Sequence, residues 1–248
     1  KADDYTVVIP LAGLTPATAY LYRVIVAGTP DMNQGPLGFF TLRTAPAGPS
    51  VFSVALGSCA RVERRPLQPI WTALRERTPS LMLWLGDNIY ADTVDPEILA
   101  ECYQRQRSLT EMQSFIRTVP QLAIWDDHDY GLNDSDRTSP FRDESLQVFQ
   151  RYWANPAYGL PEAPGVFFRF SYGGVDFFML DNRYHRDPPA LPGQGPRSSL
   201  GSVQKKWLKE QLRASRAAFK VVASGQPWTD EKGPGGESWE AFAEERAE

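Results

Sequence analysis

Cysteine and histidine are scarce in this chain, with 2 of each among 248 residues. Cys59 and Cys102 could pair, but two cysteines define no disulfide framework in a chain of this length. A basic surplus is missing too. Lys and Arg number 26 against 30 Asp and Glu, for a net charge of −4, so the balance carries no nucleic-acid-binding signature. No apolar run reaches 18 residues, which excludes a membrane-spanning helix. The uncharged stretch from Tyr5 to Tyr22 is broken by Pro10, Gly13 and Pro16. No secretory signal opens the chain, and neither repeats nor low-complexity tracts occur. What is present is an ordinary globular composition, 42% hydrophobic and 12% aromatic, enough for one large core or two small ones.

The first 46 residues read as β-structure. "YTVVI" (5–9) alternates and is β-branched, and "LAGLTPATAYLYRVIVAG" and "GPLGFFTLRT" give two further strands with Gly/Pro turns between. The segment Leu14 to Tyr20 resembles the tyrosine corner of fibronectin type III domains, in which a Tyr hydroxyl bonds back to the preceding turn. A full sandwich needs about seven strands, so residues 1–46 are expected to be part of a fibronectin type III-like β-sandwich whose first strands are missing. "APAGPS" (45–50) reads as a linker.

From residue 47 to 248 the pattern becomes strand, loop, helix. Strands are expected over 51–56, 81–85, 121–125, 166–172, 175–180 and 219–224, and helices over 66–77, 141–153 and 204–216. Asp95-Pro96 is an N-cap followed by proline at the first helical position, opening a long helix to about Arg117. Gly173-Gly174 signals a hairpin. Strands alternating with helices predict a layered α/β domain with mixed sheets.

Ligands of open α/β sheets gather at the carboxyl ends of strands. The first strand is followed by Gly57-Ser58-Cys59, the second by Gly86-Asp87-Asn88-Ile89-Tyr90, and the third by Asp126-Asp127-His128-Asp129. Thiol, phenol, carboxylates and imidazole are metal-ligand types, and consecutive strand ends bring them to one rim. Each has an ordinary reading: a buried thiol, a packed Tyr, a structural His, a solvated acidic loop. Three acids in four residues directly after an apolar strand repel one another, however, and a cation would remove that cost.

"GSC", "GDNIYAD" and "WDDHD", in that order, resemble the PhoD-type alkaline phosphatases of the calcineurin-like metallophosphoesterase superfamily. "LDNRYHRD" (180–187) and "WLKEQL…FKVVASGQP" (207–227) resemble later segments of the same family. The resemblance implies metal-dependent hydrolysis of phosphate esters at a dinuclear site, by hydroxide generated on the metals. It implies Cys59, Asp87 and Tyr90 as ligands of Fe3+, with Asp87 bridging to a second, divalent ion for which Ca2+ is the expectation. Asp127 is the expected ligand of that second ion, ahead of Asp126, and His128 the group that protonates the leaving oxygen or holds phosphate. Arg183 could contact phosphate bidentately, or form a salt bridge inside the fold. Asn133 and Asp134 remain candidate ligands, and His185 is read as surface.

The substrate implied is a small or polymeric phosphate ester, and the location periplasmic or extracellular. Family members carry a Gly-Asp-x-His element near the C-terminal end that this chain does not contain, so it is expected to be a fragment at both ends. Two other readings stand beside this one: a cysteine hydrolase using Cys59 and His128, and an extracellular binding module with a degenerate phosphatase domain.

Overall fold

The computed structural model describes residues 4–30, 38–189, 195–229 and 237–248. In the N-terminal segment β1 (Ala19–Tyr22) pairs antiparallel with β4 (Phe40–Arg43), and β2 (Ile25–Val26) with β3 (Thr29–Pro30). The Tyr20 hydroxyl lies back against the preceding turn, accepting from the Thr15 N–H at 2.8 Å. "YTVVI", by contrast, is not a strand. Among the described residues no strand pairs with it, and Val7, Val8 and Ile9 are exposed. The β1–β4 ribbon docks on the rest of the chain through the Tyr22 hydroxyl, which donates to the Arg117 carbonyl at 2.7 Å.

The first sheet is parallel throughout, in the order β5 (Val54–Gly57), β6 (Leu81–Leu85), β7 (Gln121–Ile124). Between its strands lie α1 (Ile70–Glu76), α2 (Pro96–Arg107) and α3 (Thr110–Ile116). β6 is the central strand, and Leu81, Met82, Leu83 and Trp84 are all buried. A parallel strand covered on both faces reads as such an unbroken apolar run. Asp95 caps α2 as expected, accepting from the Glu97 N–H at 2.8 Å. The long helix to Arg117 is instead two helices. Ser108 turns its hydroxyl back onto the Arg105 carbonyl at 2.7 Å, and Leu109 is extended.

α4 (Asp127–Tyr130) and α5 (Arg142–Tyr152) lead to a short ribbon of β8 (Gly159–Leu160) and β9 (Ala163–Pro164). The second sheet is mixed: β10 (Phe168–Tyr172) and β11 (Val175–Met179) form the Gly173-Gly174 hairpin, and β12 (Phe219–Ala223) joins β11 in parallel after α6 (Gly201–Ala214). A short 3-10 turn (Trp239–Phe242) and α7 (Ala243–Ala247) follow.

One aromatic-rich core cluster includes Trp71, Trp84, Trp125, Trp153, Phe149 and Phe177, with Trp84 of β6 packed on Trp71 of α1 and on Trp153 after α5. The carboxyl ends of the two sheets meet at Gly225, just past β12. A Cβ there would lie 2.9 Å from the Trp125 carbonyl and 3.2 Å from that of Leu85, so glycine permits the approach.

Candidate metal centre

Because β5, β6 and β7 run parallel and in register, the three loops that follow them share one rim. Gly86 has φ +100°, and a Cβ on it would lie 2.7 Å from the Asp126 Cβ, so glycine lets the second loop pass the third. Cys59 and Asp87 also adopt positive φ, 60° and 50°. For side-chain-bearing residues such backbone costs on the order of 1–3 kcal/mol and tends to collect at functional sites. Two hydrogen bonds lace the first two loops together: Cys59 N–H to Gly86 O at 3.3 Å and Ala60 N–H to Asp87 O at 2.9 Å.

The side chains converge on Asp87. The Tyr90 hydroxyl donates to its Oδ2 at 2.9 Å, and Cys59 Sγ lies 3.5 Å from the same oxygen. Its other oxygen, Oδ1, is buried without a partner, an arrangement that is costly for a carboxylate. Burial pushes the Asp87 carboxyl up, and the charge of Asp127 adds to the effect. Burial also pushes up the Cys59 thiol and the Tyr90 phenol. Asp87, Asp127 and His128 offer ligand atoms within 4.8 Å of one another. Left alone, Asp87 disfavours its own ionisation; a cation would reverse that and give the orphaned Oδ1 a partner. The donor set therefore fits a metal ion.

The acids after β7 are less exposed to one another than their spacing suggests. Asp129 is fully buried and accepts from the backbone N–H groups of Asn88, Ile89 and Asp126 and from the Tyr103 hydroxyl. Those bonds favour its ionised form, against burial, which pushes its carboxyl up. Asp126 is bound by the Arg183 Nε at 2.5 Å, yet burial still lifts its carboxyl to about 6. The expectation of three unpaired acids is thus corrected, and the buried carboxylate oxygen left without a partner is that of Asp87.

Arg183 is fully buried. It reaches Asp126, Asp127 at 3.5 Å, the Ser135 carbonyl and both oxygens of Glu237. The structure therefore places it in the internal ion pair, the second of its two readings. Asp126, Asp127 and Glu237 form a second acidic trio, but its cation is this guanidinium. Asp134 approaches Asp127 with its backbone N–H, at 2.8 Å, rather than as a carboxylate ligand, and Asn133 is exposed. His185 is half-buried rather than on the surface, with Nε2 2.9 Å from the Pro164 carbonyl. Both cysteines are free, so the pairing of Cys59 with Cys102 is not formed.

Sequence reasoning assigned no role to Asp92, Asp129 or Glu237. Asp92 stands in the quoted "GDNIYAD", and its Oδ1 lies 2.5 Å from the His128 Nδ1. Nothing local marks Glu237, whose partners lie 54 and 51 residues away.

The sequence model of the PhoD-like phosphatase family matches residues 53–247. The chain is 25% identical to alkaline phosphatase D of Bacillus subtilis over 88% of its own length and 44% of that protein. It is 26% identical to the human serine/threonine-protein phosphatase CPPED1 over 56% of its length and 36% of that one. The chain thus spans less than half the length of these curated relatives. Among solved structures it resembles that of PhoD with a TM-score of 0.77 at 21% identity, covering 94% of this chain and 53% of the other. It also resembles purple acid phosphatase PPD1 from yellow lupin with a TM-score of 0.58 at 13% identity, over 86% of this chain and 37% of that one.

Proposed function

Since the chain belongs to the PhoD-like phosphatase family, we propose that it hydrolyses phosphate esters with metal ions held where β5, β6 and β7 end. The observation that carries this reading is the partnerless, buried Oδ1 of Asp87, set among Cys59, Tyr90, Asp127 and His128. Cys59, Asp87 and Tyr90 are assigned to Fe3+, and Asp87 with Asp127 to a divalent ion, Ca2+ by the hardness of the oxygen donors. Bound cations would supply the Lewis acidity that lowers the pKa of water and neutralises charge on phosphoryl oxygens.

The protein's own part is positioning and one proton. With Nδ1 held by Asp92, the His128 ring presents Nε2 as the free nitrogen. In its imidazolium form, with Nδ1–H on Asp92, His128 gives its Nε2 proton to the departing ester oxygen as a water-derived hydroxide bonds to phosphorus. The electrons of the broken P–O bond leave with that oxygen, and the imidazole is left neutral. Arg183 steadies Asp126 and Asp127 from behind. Its donors are engaged, so contact with phosphate would require release from Glu237. A small or polymeric phosphate ester as substrate, a periplasmic or extracellular location and a fibronectin type III-like character for residues 1–46 belong to the same proposal. The location is compatible with the described helices, none of which is long and apolar enough to cross a membrane.

A cysteine hydrolase is disfavoured by the contacts. Cys59 lies against Asp87 and Ser58, whereas His128 lies against Asp92, and burial holds the thiol protonated.

The test is p-nitrophenyl phosphate hydrolysis and elemental analysis of protein expressed with iron and calcium available. Asp87→Asn should deplete metal, whereas His128→Ala should keep it and slow turnover by roughly 10²–10⁴. Tyr90→Phe should abolish a visible phenolate-to-iron charge-transfer band. Activity that survives a chelator would overturn the proposal, and equal metal loss in the Asp87 and His128 variants would make His128 a ligand.

A further inference from the structure

Arg61 has no part in the reading above, yet its guanidinium lies over the Tyr90 ring, 4.6 Å from the centroid. Its Nε is buried and has no hydrogen-bond partner among the described residues. A buried guanidinium nitrogen without an acceptor is costly unless something else compensates the charge, and here the compensation is the π face of Tyr90.

The placement is built into the backbone. Arg61 follows Cys59 and Ala60, whose N–H groups bond to the carbonyls of Gly86 and Asp87. The first loop is therefore fastened to the second at the two residues just before the arginine, three and four residues before the tyrosine it covers. The same ring also touches the His128 imidazole, with centroids 4.2 Å apart. Tyr90 is thus located by three separate contacts: its hydroxyl on Asp87, an imidazole beside it and a guanidinium over it.

The geometry points to Arg61 as a positioning residue for Tyr90, holding the phenol ring so that its oxygen stays beside Asp87 and offsetting negative charge as that oxygen meets a metal. This inference rests on the reading of Tyr90 as an iron ligand. Attraction between a guanidinium and an aromatic face grows when the ring carries more electron density, so the contact strengthens as the phenol becomes a phenolate. A positive charge over the ring also lowers the energy of its donor electrons. Loss of that charge should move a phenolate-to-iron absorption to longer wavelength.

The experiment uses the full chain loaded with ferric iron, comparing wild type with Arg61→Met, Arg61→Lys and Tyr90→Phe. The readouts are the visible absorption maximum, the iron dissociation constant and binding of inorganic phosphate. Arg61→Met should shift the band to longer wavelength and weaken iron binding by roughly three- to thirty-fold. Arg61→Lys, which keeps the charge and loses the planar fork, should fall between the two and still reports if the Met variant does not fold.

A wild-type band that Arg61→Met leaves in place, with unchanged iron affinity, overturns this inference alone. So does a variant that loses only phosphate affinity, since Arg61 would then touch substrate instead. Iron-loaded wild type without any band overturns the reading of Tyr90, and this inference with it.

Discussion

Glu237 sets the state of the arginine behind the site. Against the upward push of burial, the hydrogen bonds and charge of Arg183 hold its carboxyl down at about 2, and Arg186 adds a contact at 3.2 Å. A depressed carboxyl stabilises the folded state above its unfolded pKa and loses that contribution as pH falls through the folded value. Glu237→Gln should therefore cost the metal-free protein on the order of 2–4 kcal/mol at pH 7. The difference from wild type should begin to shrink below about pH 4.5. Asp126 has the opposite sign. Raised to about 6, it stabilises the fold most below the usual carboxylate range, and that contribution is lost as pH rises through 6. Urea melts of both proteins at pH 7, 5 and 3 check the Glu237 assignment, and an equal gap at all three values would refute it.

At the scale of elements, Asp129 is the brace between two loops, since one carboxylate accepts from donors on both the β6 and β7 loops. Every partner is a donor, so an amide in its place would turn N–H groups toward N–H groups. Asp129→Asn should destabilise the protein by about 2–4 kcal/mol. Hydrogen exchange at the amides of Asn88, Ile89 and Asp126 should accelerate more than at β6. Uniform acceleration would mean that the brace acts on the whole fold rather than on the rim.

The bracing between the loops was not legible in the sequence, because the Asn88 and Ile89 N–H groups lie 41 and 40 residues from Asp129, and only the Asp126 donor is local. What was legible follows from local chemistry. The apolar run of β6, the Asp95-Pro96 start of α2 and the Gly-Gly hairpin each depend on neighbours in sequence, and all three are formed. The break at Ser108 was missed, because an apolar helical period continues across it while one hydroxyl ends the helix. "YTVVI" was misread since strand propensity needs a partner strand that the sequence pattern cannot supply. The rim itself was readable because parallel strands must end together.

At the scale of the whole molecule, the two sheets are joined where the candidate centre lies. Trp125, at the end of β7, donates its indole N–H to Asp181 past β11 at 2.8 Å, while Gly225 past β12 abuts the ends of β6 and β7. Asp181 in turn caps the loop that carries Arg183, accepting from the Arg183 and Tyr184 N–H groups. Charge placed at the rim is therefore felt by both sheets. Without a cation, the buried Oδ1 of Asp87 has no partner and opposes folding; with one, it would gain a partner at a site that only the folded chain assembles. A ligand that binds only the native state at a hundred times its dissociation constant adds about 2.7 kcal/mol. For a domain of this size that corresponds to a rise in Tm of roughly 5–10 °C. Chelation should remove the rise, Asp87→Asn should abolish it, and Asp129→Asn should lower the baseline while leaving the metal increment largely intact. Differential scanning calorimetry with and without metal separates these outcomes, and a metal increment that survives in Asp87→Asn would place the ion elsewhere in the molecule.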